Sequence, residues 1–125
     1  MTIEFIITVV AVVALLATAV VYGTDVFCAI AMRPALATVD DRALTSVMGG
    51  VHRYGDRRMP VPGVLGLVGV AVVVVLAAIA AQWVQALAAV GALIALITWT
   101  AIYTRVSAPI NRRLTAAAEA GEPPS

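Results

Sequence analysis

Asp25, His52, Asp56 and Tyr103 are the side chains whose types and surroundings could move a proton. Asp25 stands in GTDVFCAIAM, directly after a long apolar run. An ionised carboxylate at membrane depth costs about 2.5–3.5 kcal/mol even on the mildest insertion scale, so it needs a partner or a proton, and such groups tend to mark function. It suits a proton acceptor, an anchor for a buried ligand or a metal ligand. A structural alternative is an ion pair with an arginine such as Arg33 or Arg105. His52 is the only histidine, and Asp56 follows four residues later in HRYGDRR; a neutral imidazole beside a carboxylate can act as acid, base or metal ligand near neutral pH. Three neighbouring arginines disfavour a cation there. Transition-metal sites want several nitrogen or sulfur ligands, and one His and one Cys supply few. A mononuclear set would have to be Asp25, His52 and Asp56; no metal and no cofactor are expected.

The elements that must position these groups are helices. Of 125 residues, 62% are hydrophobic and only 12% charged, with mean hydropathy +1.03, against about 45–50% and about 25% in soluble domains. Runs at residues 3–22, 61–81 and 86–103 each approach the ~20 residues that cross a bilayer. Net charge is only +1, which excludes nucleic acid as a partner. There is no phosphate-binding loop, zinc spacing or dinucleotide fingerprint, so dehydrogenases and ATPases are set aside. The single cysteine, Cys28, forbids an internal disulfide. Ala17-Thr18-Ala19 has the small-x-small form of a cleavage site, but the leading MTIEF is acidic and the apolar run continues through it; the segment is expected to be retained as a spanning helix.

The expected fold is all-α, a multi-pass membrane bundle of three transmembrane helices and one amphipathic helix at the cytoplasmic face. Its boundaries are about 3–33, 61–81 and 85–107 for the spans, about 38–54 for the amphipathic helix, and about 114–125 for a disordered tail. All eight basic residues are arginines, five between the first two spans and three after the third. The positive-inside rule puts the N-terminus outside and the C-terminus in the cytoplasm of a cell-membrane protein. Trp83 then anchors an outer hairpin tip. Thr38 through Asp41 resembles a capping box opening the amphipathic helix. Val39, Ala43, Leu44, Val47, Met48 and Val51 form its apolar stripe. Gly63, Gly66 and Gly69 offer a smooth strip for helix packing. On the third span Thr100, Thr104, Ser107 and Asn111 form a polar file beside Trp99 and Tyr103.

GTDVFCAIAMRPAL, VHRYGDRRMPVPG and SAPINRRL together resemble the anthrone-oxygenase-like family of small membrane proteins, catalogued largely as a domain of unknown function and similar here to actinobacterial members. The resemblance covers most of the chain, with Pro34, Pro109 and Asn111 matching the family pattern and Asp25 and His52 placed by position. It implies a four-helix membrane bundle, some members of which oxygenate polycyclic phenols such as anthrones without an obvious organic cofactor. The fourth span is not among these 125 residues.

Two functions follow as expectations. One is a membrane oxygenase acting on a hydrophobic aromatic, with Asp25, His52 and Tyr103 catalytic and Trp99, Arg33, Asn111 and Asp56 binding substrate. The other is a non-enzymatic scaffold, a homo-oligomer or an accessory subunit of a larger membrane complex. A proton-coupled exporter is disfavoured, because one carboxylate lies near membrane depth and no inverted repeat is visible.

Overall fold

The computed structural model describes residues 2–121, all of them in helices or the short turns between. The order is α1 (Ile3–Phe27), a π-helical turn (Cys28–Met32), α2 (Arg33–Leu36), α3 (Asp41–Arg58), α4 (Pro60–Ile79), α5 (Trp83–Ile102), a second π-helical turn (Tyr103–Ser107) and α6 (Ala108–Ala120). Three continuous helical stretches, Ile3–Leu36, Pro60–Ile79 and Trp83–Ala120, are long and apolar enough to cross a membrane.

Both π turns have the same cause. Pro34 and Pro109 have no N–H to donate, and in an α-helix each ring would press on the carbonyl four residues back. The residue before each proline reaches one carbonyl further: Arg33 N–H donates to Cys28 O, and Ala108 N–H to Tyr103 O. The widened turn carries the helix past the proline. Pro34 therefore does not end the first helix, which closes only after Leu36 with a Thr38 hydroxyl donating to Ala35 O at 2.7 Å.

Thr38 is thus engaged behind it and does not cap α3. Asp40 caps instead, in an extended conformation, its Oδ1 accepting from Ala43 N at 2.7 Å. Asp41 opens the helix and Arg57 and Arg58 close it, each charge suiting its end of the macrodipole.

The chain divides into two compact units. The first holds residues up to Tyr22 and Val61–Thr100. In it Gly66 and Gly69 of α4 lie against Thr18 and Ala14 of α1: a Cβ on Gly66 would meet Thr18 Oγ1 at 2.7 Å, and one on Gly69 would meet Ala14 Cβ at 2.8 Å. Gly63 has nothing within 4 Å, so only two glycines of the strip make the close approach. Ile7, Val73 and Ala89 form the small core. At the hairpin between α4 and α5, Gln82 N donates to Ala77 O at 2.9 Å and Ala81 N to Ala78 O at 3.1 Å. This is a Schellman-type stop with Ala81 at φ 57, where glycine is usual.

The second unit holds Gly23–Pro60 and the residues from Ala101 onward. Here α3 and α6 pack antiparallel, since Asp56 near the end of α3 meets Tyr103 just before α6, while Gly49 in mid-helix meets Leu114 and Ala118 further along. The covered face of α3 is small and polar, with Thr45 and Gly49 buried. Val39, Val47 and Val51 of the apolar stripe stay exposed.

The tail expected to be disordered from about 114 is instead helical to Ala120 and stops at Gly121, φ 70. Alanine is the best helix former, and one face of this segment is covered by α3. Residues 122–125 of that expectation lie outside the described residues.

Gly49 and Gly50 give a paired test. A Cβ on Gly49 would strike Ala118 Cβ and come within 2.9 Å of the Leu114 carbonyl oxygen, which is backbone and cannot turn aside; Gly50 has nothing within 4 Å. Gly49→Ala is expected to destabilise by about 1–3 kcal/mol. Gly50→Ala should be neutral or stabilise by up to about 1 kcal/mol. Thermal unfolding of both variants in mild detergent checks this.

Candidate functional site

Two places in the second unit carry the side chains singled out by type and spacing. The first joins α3 to the π turn before α6. Tyr103 sits at the start of that turn and its hydroxyl donates to Asp56 Oδ1 at 2.9 Å, across 47 residues of sequence. His52, one turn before Asp56 on α3, feels the same carboxylate, and Arg112 lies close enough to act on Tyr103. All of His52, Asp56 and Tyr103 are half-buried. Burial lowers the His52 pKa below the ordinary imidazole value, and the nearby Asp56 carboxylate only partly opposes this. A neutral imidazole is the form this position favours.

The second place is a groove of ≈ 530 Å³ between the stretch that contains the first π turn and the middle of α3. Asp25, Cys28, Met32 and Arg33 line one side and Leu44 and Met48 the other. Asp25, Cys28 and Met32 share a helical face, and Leu44 and Met48 are one turn apart on α3. The groove is therefore apolar in body, with a carboxylate and a guanidinium among its walls. Neither His52, Asp56 nor Tyr103 lines it.

The other predicted residues are distributed. Arg33 lines the groove and is exposed. Asn111 is half-buried on α6, where its main-chain oxygen accepts from Thr115 Oγ1 at 3.0 Å. Trp99 is half-buried on α5 and belongs to the first unit. Thr100 and Thr104 return their hydroxyls to their own helix, to Leu96 O at 2.8 Å and Ala101 O at 3.2 Å, so half of the polar file is spent on backbone. Among the described residues no three His, Cys, Asp or Glu side chains stand together as a metal site.

Sequence reasoning did not assign Leu44 and Met48 to a site, nor Thr45 and Gly49 to a helix contact. The repeat of Leu44 and Met48 at the spacing of Cys28 and Met32 was the available signal.

No family model, curated protein or solved structure matches the chain.

The His52 environment has a pH consequence. The folded chain takes up a proton there less readily than the unfolded chain, so the contribution is present above the unfolded imidazole value of about 6.5 and is lost as pH falls below it. Unfolding temperature in detergent should drop between neutral and mildly acidic pH, and the drop should be smaller in His52→Gln. Equal slopes in the two proteins would remove His52 from the account.

Proposed function

We propose that this chain is a multi-pass protein of the cytoplasmic membrane, with its N-terminus outside and α3 and α6 on the cytoplasmic side, and that it binds and oxidises a hydrophobic aromatic molecule taken from the bilayer. Three apolar helices and the confinement of all arginines to two segments support the membrane placement and orientation. Asp25, an exposed carboxylate on the wall of a groove that is apolar in body, is the observation that carries the function. Its ≈ 530 Å³ falls in the range of about 300–1,000 Å³ usual for small-molecule sites. Met32 and Met48 supply flexible, polarizable walls suited to a flat ring system. π turns are found frequently at functional sites, and Cys28, Ala29 and Met32 of the first one line this groove.

The resemblance to anthrone-oxygenase-like proteins supplies the reaction class. Asp25 as base would take a proton from the methylene of an anthrone-like phenol. The resulting carbanion reacts with dioxygen; the carbon loses two hydrogens and keeps one oxygen as a new carbonyl, and the other oxygen leaves as water. Protein reconstituted in liposomes and given an anthrone should consume oxygen and form the quinone. General-base help is worth about 10²–10⁴ in rate, so Asp25→Asn should lose about that much while remaining membrane-inserted. Undiminished turnover in Asp25→Asn, or no turnover by the wild type, would refute the enzyme reading.

A separate observation favours a second reading, assembly with further copies. The first unit has a groove of ≈ 890 Å³ whose walls include Ala11 of α1 and Ala88, Ala92 and Ala95 of α5 beside larger side chains such as Leu15 and Leu96. Small side chains of this kind let helices approach closely in a bilayer. On this reading wild-type protein is oligomeric in mild detergent, and Ala92→Trp, which fills the groove, shifts it to monomer in size-exclusion chromatography with light scattering. A monomeric wild type would end it.

A further inference from the structure

All eight arginines lie in the second unit, and six of them fall at the end of α3 and around the start of α6. Arg53, Arg57 and Arg58 occupy the last turns of α3, while Arg105, Arg112 and Arg113 occupy the π turn before α6 and the start of α6. The antiparallel pairing of α3 with α6 through Asp56, Tyr103 and Gly49 brings these two groups to the same end of the helix pair. Among the described residues, Asp56 and Glu119 are the carboxylates seen beside them. Asp56 is engaged by the Tyr103 hydroxyl, and Glu119 stands 3.8 Å from Arg53. All six arginines are exposed. Arg58 lies with its guanidinium carbon 5.4 Å from the centre of the Tyr54 ring, an arrangement that holds the plane while leaving its N–H edge open.

The position of this cluster along the chain is as informative as its charge. The apolar run of α4 begins two residues after Arg58, and that of α5 ends three residues before Arg105. In a membrane these are the points where two spans reach the headgroups. Tyr54, Val47 and Val51 on α3 are exposed beside the basic residues. An element with an arginine-rich side and an open apolar side suits the interface plane, where it meets phosphate and acyl chain together.

We infer that the α3–α6 pair carries a binding site for anionic phospholipid, in which Arg57, Arg58 and Arg112 take the phosphodiester and Tyr54, Val47 and Val51 meet the upper acyl chains. The choice of arginine over lysine fits, because the guanidinium fork engages two phosphate oxygens at once. The inference rests on the membrane placement proposed above and not on oxidation of any substrate.

Membrane insertion is scored first and separately, by resistance of the protein to alkaline carbonate extraction. Protein is then reconstituted in equal parts phosphatidylcholine and phosphatidylglycerol, re-extracted in mild detergent, and its retained lipid measured by mass spectrometry. The expected result is retained lipid enriched severalfold in phosphatidylglycerol. Arg58→Gln and Arg112→Gln should each cut that enrichment by about fivefold, the factor that corresponds to one basic side chain at an anionic membrane surface. Arg42→Gln, in the first turn of α3 away from the cluster, should leave it unchanged, and millimolar inorganic phosphate should not displace the lipid. The inference is overturned if retained lipid mirrors the bulk mixture, if the two variants retain as much phosphatidylglycerol as wild type, or if phosphate displaces it. Carbonate-extractable protein would defeat the membrane placement itself.

Discussion

Helix-to-helix contact through small side chains is the constraint on which this structure depends. Gly66 and Gly69 rest on Ala14 and Thr18 in one unit, and Gly49 rests on Leu114 and Ala118 in the other. In hydrocarbon there is little hydrophobic gain from bringing two apolar helices together, so packing at short range and the hydrogen bonds it permits must do most of the work. The burial pattern fits that requirement. The most deeply covered apolar residues are mainly alanines, such as Ala14 and Ala77, while Leu15, Leu16, Leu87 and Val84 are exposed. A water-soluble helical protein would be built the other way round.

The same constraint governs the chemistry. Because α3 lies close on α6 at Gly49, the end of α3 is held where Asp56 can accept from Tyr103. A hydrogen bond to a charged acceptor is worth about 1.5–3 kcal/mol, enough to fix the register of two helices. It also occupies one oxygen of Asp56. Asp25 is exposed on the wall of a groove that it shares with Arg33 and with thioether, thiol and aliphatic side chains. One carboxylate is thus hydrogen-bonded between two helices, and the other borders a groove of ≈ 530 Å³.

Much of the helical architecture was legible because long apolar runs report it directly. What stayed hidden has physical reasons. Asp40, and not Thr38, caps α3, since the preceding helix had already drawn the Thr38 hydroxyl backward. The end of the chain reads as solvated by composition, yet its alanines are strong helix formers once α3 covers one face. The packed face of α3 was obscured because hydrophobicity marks the stripe of Val47 and Val51, whereas the contact with α6 needs small size at Thr45 and Gly49. Asp56 and Tyr103 could each be picked out by type, but their bond joins distant parts of the chain, and no local spacing encodes it. The polar file on the third span assumed an even helical pitch, which the turn at Tyr103–Ser107 interrupts.

That interruption, and its counterpart at Cys28–Met32, ties chain length to proline. Each wide turn in effect accommodates one additional residue, and the proline beyond it needs the space so created. Deleting a single residue from either turn would return the segment to ordinary α-helical winding and press the proline ring on the carbonyl four residues back. Replacing the proline alone would leave the wide turn without the residue that justifies it. A viable shortening must therefore change both at once, so each turn and its proline form an indivisible unit of inheritance.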